Sequence, residues 1–209
     1  MTDLTLDEAT HTYRLGDRVL PSVTQITATI APLFGSPRGV LEAKADLGTA
    51  VHLATQFYDE GDLDRDSLPA VVLPYLDAYV RFRQETGFKP IAVEEKVFSE
   101  LYGFAGTLDR VGEFTKLKGG RRASRAIVDL KATYRILPAS GPQTAGYQYA
   151  WNERRPSKKA DRRFVLQLKA DQTYRLEECA DPTDWSVFAS ALTILHWTAR
   201  HGGGYEARK

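Results

Sequence analysis

The sequence predicts an α/β fold, a sheet with a helical N-terminal layer, from three observations. Apolar residues recur at helical spacing between Pro69 and Thr86, as on one face of an amphipathic helix. Three segments between Ile91 and Thr133 instead carry the short apolar runs that are typical of strands. The predicted order is helices, three strands, a helix, two strands and a helix, which favours an α/β sheet.

Helix boundaries are predicted from caps and breakers. Ser22 is a suitable N-cap for the first helix, and Gly87 can end the third in a left-handed conformation. Pro182 suits the start of the last helix, where a missing N–H is not needed. The five predicted helices span Val23–Ile30, Val40–Tyr58, Pro69–Thr86, Pro142–Trp151 and Pro182–Arg200.

Strands are predicted from apolar or alternating runs between turn residues. The segment from His11 to Val19 predicts a short hairpin that turns near Gly16 and Asp17. The five longer strands are predicted at Ile91–Phe98, Phe104–Phe114, Arg125–Thr133, Arg163–Leu168 and Tyr174–Cys179.

The chain length of 209 residues suits one domain with a real core. We divide it into a mainly helical part at 1–90, a catalytic sheet core at 91–180, and a C-terminal helix and tail at 181–209. Apolar residues make up 43% and aromatic residues 11%, as in ordinary soluble proteins.

The single cysteine, Cys179, excludes an internal disulfide, a zinc cluster and an iron–sulfur cluster. We interpret it as a buried structural thiol, which agrees with a reducing cytoplasm. No apolar run approaches the roughly 20 residues that span a bilayer, and the N-terminus lacks the features of a signal peptide. We therefore expect a cytoplasmic protein without a membrane partner.

Two basic stretches stand out against a net charge of only +1. Each stretch fits two interpretations, a solvated loop or a contact to the phosphates of a nucleic acid. The residues predicted to contact DNA are Lys116, Lys118, Arg121 and Arg122 in the first stretch, and Arg154, Arg155, Lys158 and Lys159 in the second.

The most informative segment is the predicted strand that contains Asp129, Leu130 and Lys131. Residues two apart on a strand share a face, so Asp129 and Lys131 lie side by side. Taken alone, this pattern is most simply a surface ion pair on an edge strand. Its apolar neighbours argue otherwise, because burying charge is costly unless the charge is paired or bound to metal.

Acidic residues also occur on the two preceding strands, at Asp109 and at Glu94 or Glu95. Adjacent strands lie about 5 Å apart, so these carboxylates can converge on one point. Converging carboxylates repel one another unless a cation lies between them, and hard oxygen ligands favour Mg²⁺ or Mn²⁺. The sequence therefore predicts a metal site on the sheet.

Such a site has the parts needed for phosphodiester hydrolysis. We expect Asp109 and Asp129 to hold the metal, with the carbonyl oxygen of Leu130 as a further ligand. The metal would polarise the phosphate and lower the pKa of a bound water. Lys131 would orient that water, deprotonate it, or stabilise the charge that develops on the phosphate.

Five motifs in order resemble the PD-(D/E)xK nuclease superfamily, and most closely its RecB-like, phage-type exonuclease branch. They are a helix with G-x-x-x-H, a glutamate strand, a G-x-x-D strand, a D-x-K strand and a Q-x-x-x-Y helix. In this chain they correspond to Gly48–His52, Glu94, Gly106–Asp109, Asp129–Lys131 and Gln143–Tyr147.

The resemblance implies a restriction-endonuclease-like core with a central mixed sheet flanked by helices. It implies that Asp109 and Asp129 are metal ligands and that Lys131 is the catalytic lysine. His52 would be another ligand or lie near the site, and Glu94 matches the family glutamate, although Glu95 competes for that place. Two further residues, Gln143 and Tyr147, would position the lysine, the metal or the DNA backbone.

Three functional hypotheses follow. The first is a Mg²⁺- or Mn²⁺-dependent deoxyribonuclease, an exonuclease of recombination or repair, in a phage or prophage and hence active in the host cytoplasm. The second is a DNA-end-binding or adaptor module with little cleavage, and the third is a structure-specific or site-specific endonuclease. The chain has no G-x-x-x-x-G-K-[ST] motif, so a helicase would be a separate partner. Polarity, strand preference and homo-oligomer formation stay open.

Overall fold

The computed structural model describes residues 3–30, 41–117 and 125–202. Eight strands and five α-helices lie within these ranges, together with a short 3-10 helix at Arg65–Ser67. The strands are β1 Leu4–Asp7, β2 Thr12–Leu15, β3 Arg18–Leu20, β4 Phe88–Ser99, β5 Phe104–Phe114, β6 Arg125–Lys131, β7 Arg162–Leu168 and β8 Tyr174–Glu178. The helices are α1 Val23–Ala28, α2 Leu41–Glu60, α3 Leu73–Thr86, α4 Ser140–Arg154 and α5 Asp184–Arg200.

A five-stranded sheet in the order β4-β5-β6-β7-β8 forms the centre of the fold. Its pairs are antiparallel except for β6 and β7, which run parallel and are connected through α4. A parallel pair needs such a long crossover, whereas antiparallel strands can be joined by short turns. The predicted mixed sheet flanked by helices is therefore confirmed.

The helices cover both faces of this sheet. On one face, α1, α4 and α5 pack against β5 and β6, with Val23, Tyr147 and Phe188 in the same buried cluster as Ile127. On the other face, α2 and α3 belong to a second buried cluster that includes Val128 and Leu130 of β6. The predicted N-terminal helices thus do not form a single layer, because α1 lies on one side of the sheet and α2 and α3 lie on the other.

The N-terminal segment contains a strand that the sequence prediction missed. The hairpin β2–β3 was predicted, but β1 pairs with β2 and completes a three-stranded antiparallel sheet. Tyr13, Leu15 and Leu20 of this small sheet pack with Ala105 at the start of β5. The backbone N–H of Ala105 donates to the carbonyl oxygen of Pro21 and joins the two sheets.

Most of the other helix and strand boundaries differ from the predicted ones by a few residues. The largest shift is at α3, which begins at Leu73 rather than Pro69. Shifts of three residues occur at β4, which begins at Phe88 rather than Ile91, and at α4, which ends at Arg154 rather than Trp151. Cys179 is partly rather than fully buried. Within the described ranges, the structure contains no helix that combines the length and apolar character needed to cross a bilayer.

Candidate metal centre

The site begins where β5 and β6 stop pairing. Their ladder runs from Glu113 opposite Arg125 to Arg110 opposite Val128, while β6 stays paired with β7 as far as Lys131. Beyond Arg110 the Asp109 side chain replaces the ladder, since its Oδ2 accepts the backbone N–H of Leu130 at 2.6 Å. The strand separation opens a gap in the middle of the sheet, and acidic groups line it.

Three side chains from three separate elements converge at this gap. They are His52 of α2, Glu94 of β4 and Asp109 of β5, and one donor atom from each lies within 4.8 Å of the others. The Nδ1 atom of His52 is 3.6 Å from Glu94 Oε1 and 3.6 Å from Asp109 Oδ1. Its Nε2 atom is 3.3 Å from the carbonyl oxygen of Leu130. We call His52, Glu94 and Asp109 the acidic triad.

The competition between Glu94 and Glu95 has a clear structural outcome. Glu94 belongs to the acidic triad and adopts a positive φ of 46°, a left-handed conformation that is uncommon for residues other than glycine. Glu95 turns to the opposite face and forms an ion pair with Arg155, the residue that directly follows α4. Such backbone strain costs on the order of 1–3 kcal/mol and persists where the surroundings fix it.

Asp129 and Lys131 lie next to the triad as an ion pair. The distance from Lys131 Nζ to Asp129 Oδ2 is 2.8 Å, and only 2% of the Asp129 residue surface is exposed. The Oδ2 atom itself is buried, and the Lys131 ammonium is its charged neighbour. Asp129 is therefore a buried carboxylate next to the acidic triad, although it is not part of it.

The electrostatics of the site reflect an excess of carboxylates. Burial opposes protonation of His52, but the charges of Asp109 and Glu94 outweigh it and raise the His52 pKa to about 9. Burial raises the pKa of Asp129 to about 6, against the opposing effect of Lys131. Burial would lower the pKa of Lys131, but Asp129 and Asp109 raise it above its ordinary value. A site that retains protons in this way also attracts other cations.

The donor set fits a metal ion. Carboxylate oxygens suit Mg²⁺ and Mn²⁺, and an imidazole nitrogen suits transition metals such as zinc and iron. The acidic triad supplies both donor types, and Asp129 adds a buried carboxylate next to it. The geometry therefore shows a cluster that can bind a metal ion.

Gln143 and Tyr147 of α4 lie above the same region. Tyr147 is buried, and Gln143 lies four residues before it on the same face of α4. Burial, together with the charges of Asp109 and Asp129, raises the Tyr147 pKa well above its ordinary value, so the hydroxyl stays protonated. The Tyr147 ring lies over Gly106, where a Cβ atom would come within 2.8 Å of it. The glycine of the G-x-x-D motif thus makes room for the tyrosine of the Q-x-x-x-Y motif.

The predicted DNA-contacting residues are only partly described. Lys116 is exposed and donates to the carbonyl oxygen of Gln84. Arg154 lies over the Phe98 ring, and Arg155 lies over the Trp151 ring while it pairs with Glu95. The remaining predicted contacts are Lys158 and Lys159, which are exposed, and Lys118, Arg121 and Arg122, which lie outside the described residues.

Two charged residues that the sequence prediction missed, Arg110 and Asp59, lie next to the acidic triad and form hydrogen bonds that support it. Arg110 is fully buried and donates to Glu94 Oε1 at 2.9 Å and to Asp59 Oδ2 at 2.6 Å. A signal was present in the sequence, since Arg110 interrupts an apolar strand directly after Asp109. Asp59 also lies seven residues after His52, on the same face of α2.

No family model and no curated protein matches the chain. Among solved structures, a "Putative exonuclease" from Eubacterium rectale is 14% identical with a TM-score of 0.49, over 88% of this chain and 75% of the other. The structure of SSO0001 is 11% identical with a TM-score of 0.35, over 86% and 84%. These likenesses are too distant to support a functional argument, which therefore depends on the residues of the site.

Proposed function

We propose that the chain is a divalent-metal-dependent deoxyribonuclease of the PD-(D/E)xK type. The observation that carries the proposal is the convergence of His52, Glu94 and Asp109 from three elements, directly beside the Asp129–Lys131 pair. Costly buried charge concentrated at one gap in a sheet is typical of functional sites. The order of the motifs and their meeting in space support the same function.

Each residue of the site has a distinct task in this proposal. Mg²⁺ or Mn²⁺ would be held by five groups: the side chains of Asp109, Asp129, Glu94 and His52, and the carbonyl oxygen of Leu130. The bound ion would supply Lewis-acid polarisation of the scissile phosphate and a water of lowered pKa. These groups lie on β4, β5, β6 and α2, and secondary-structure elements hold ligands in fixed positions more precisely than loops do.

Lys131 would act on the reacting phosphate as a cation. Its raised pKa keeps it as an ammonium, which suits it to orient the attacking water and to stabilise negative charge on the phosphate. Use of Lys131 as the base would require the bound cation to lower that pKa. Tyr147 keeps its proton and, with Gln143, would donate hydrogen bonds at the same site.

DNA is the proposed substrate, and exonucleolytic cleavage is the proposed mode. The basic residues of the two basic stretches would contact backbone phosphates, which position a duplex or a strand without reading its sequence. We place the activity in recombination or repair, in a phage or prophage, with a helicase or recombination protein as a separate partner. This setting follows from the family resemblance alone.

A cleavage assay tests the proposal. End-labelled linear DNA and a covalently closed circle are incubated together with Mg²⁺, with Mn²⁺ or with EDTA. We expect metal-dependent loss of the linear DNA and survival of the circle. We also expect Asp129→Ala and Lys131→Ala to abolish the loss while circular dichroism shows an intact fold. Matched controls are Asp62→Ala and Lys89→Ala, which remove exposed residues of the same types.

The alternatives give different results in the same assay. Cleavage of the closed circle would indicate an endonuclease. A wild-type protein that shifts DNA in a gel and cuts neither substrate with either metal would indicate a binding module. Full activity of either site variant would disprove the assignment.

A further inference from the structure

Arg110 holds together the elements that carry the acidic triad. Its guanidinium is fully buried and donates to Glu94 of β4, to Asp59 and Thr55 of α2, and to the backbone carbonyl of Asp109. The distances lie between 2.6 and 3.1 Å. The Arg110 side chain, which directly follows Asp109, thus contacts both β4, which carries Glu94, and α2, which carries His52.

Asp59 is the matching anion on α2. Its side chain is fully buried, and it accepts hydrogen bonds from Arg110, from Arg83, and from the Tyr79 hydroxyl at 2.6 Å. Asp59 lies seven residues after His52, which is two helical turns or about 10.5 Å along α2. An anchor at Asp59 therefore fixes the rotation and position of the helix that presents the His52 ring.

We propose that Arg110 and Asp59 are positioning residues that hold His52 and Glu94 at the distance required for metal binding. The inference rests on the metal site of the proposed function. Arg110 donates to Oε1 of Glu94, the same oxygen that lies 3.6 Å from His52 Nδ1, so this oxygen and the strained Glu94 backbone are held in place beside His52. Groups that orient metal ligands in this way commonly change metal affinity by about 10- to 100-fold when they are removed.

The simpler explanation is that Arg110 and Asp59 only stabilise the fold, and the chain contains a control for it. Arg163 and Asp184 form a second largely buried pair, 3.0 Å apart, between β7 and α5. Arg163 also donates to the backbone carbonyls of Gly141 and Asp181. Loss of the Arg163–Asp184 pair should also lower the free energy of unfolding, because it leaves a buried charge unpaired, but it should not change the geometry of the acidic triad.

The test measures Mn²⁺ affinity by isothermal titration calorimetry on the full chain, without DNA. Asp59→Asn and Arg110→Lys should weaken Mn²⁺ binding by about ten-fold or more, whereas Asp184→Asn and Arg163→Lys should stay within about two-fold of wild type. Thermal unfolding verifies that each variant is folded. Tyr79→Phe is a milder variant that keeps the ring and removes one hydrogen bond to Asp59, and we expect a smaller loss of affinity in the same direction.

Excess Mn²⁺ should restore DNA cleavage by the Asp59→Asn and Arg110→Lys variants, since the ligands themselves remain. Equal losses in both buried pairs, unchanged affinity in the folded Asp59→Asn or Tyr79→Phe protein, or no Mn²⁺ binding by wild type would overturn the inference. A wild-type protein that binds Mn²⁺ with this dependence but cuts no DNA would leave the inference standing and remove only the proposed nuclease function.

Discussion

The carboxylate of Asp109 accepts the backbone N–H of Leu130 at 2.6 Å, at the point where β5 and β6 cease to pair. One oxygen of Asp109 thereby replaces a missing rung of the sheet, and the other, Oδ1, faces His52 at 3.6 Å. The Asp109 side chain therefore bridges β5 and β6 where their backbones no longer pair, and it also supplies an oxygen to the acidic triad. Structure and candidate chemistry are therefore coupled at Asp109.

This coupling predicts different outcomes for two substitutions of Asp109. In Asp109→Asn the amide oxygen can still accept the Leu130 N–H, so we expect stability within about 1 kcal/mol of wild type and loss of metal binding. In Asp109→Ala the buried N–H has no acceptor, and we expect an additional cost of about 1–3 kcal/mol. Urea unfolding and Mn²⁺ titration measure the two effects. Equal stability of the two variants would contradict the structural role of the hydrogen bond.

Removal of the Lys131 charge should separate catalysis from metal binding. Lys131→Met keeps the length and apolar stem of the side chain, so the fold should persist. The Lys131 ammonium repels a cation in the acidic triad, and its loss should leave Mn²⁺ affinity unchanged or higher while DNA cleavage is abolished. Calorimetry and the cleavage assay make the comparison. Loss of metal binding in this variant would show that Lys131 acts on the ligands instead.

Gly106 and Gly48 predict opposite changes in stability when each is replaced by alanine. At Gly106 the new Cβ would lie 2.8 Å from the Tyr147 ring and 3.1 Å from Val23, and such overpacking costs about 1–3 kcal/mol. At Gly48 nothing lies within 4 Å, and alanine inside a helix is favoured by about 0.5–1 kcal/mol. Urea midpoints measure both variants. A stable Gly106→Ala protein would mean that Tyr147 moves freely.

Cys179 should react slowly with thiol reagents at neutral pH. Burial raises its pKa, and this effect exceeds the opposing influence of the Thr144 hydroxyl and Arg163. A raised pKa means less thiolate at pH 7, so the alkylation rate should be below that of free cysteine and should increase as the pH rises. Mass spectrometry after iodoacetamide treatment at several pH values measures this rate. A rate equal to that of free cysteine at pH 7 would contradict it.

Much of the fold was predictable because local sequence controls helix and strand formation. The capping box of α1, with Ser22 and Gln25, and the left-handed Gly87 at the end of α3 are local signals that the structure retains. The strand β1 was missed because four residues carry little periodicity, and it is stabilised by pairing with β2. The division of the N-terminal helices between two faces depends on long-range packing and has no local signal.

For the candidate site, the sequence alone determined which residue types take part. It identified Asp109, Asp129 and Lys131 as charges in apolar strands, because the free-energy cost of such charges is evident without coordinates. Only the tertiary structure decided which groups meet. It brought His52 to Glu94 and Asp109, directed Glu95 toward Arg155, and left Asp129 outside the triad.

The same division holds for the supporting charges. Arg110 and Asp59 are separated by 51 residues, and their pairing depends on how α2 crosses the sheet. A sequence encodes its strands and helices through interactions between near neighbours, whereas a site that combines several elements is fixed by packing across the whole chain. For this protein the sequence determined the chemistry that is available, and the tertiary structure decided the geometry in which that chemistry is held.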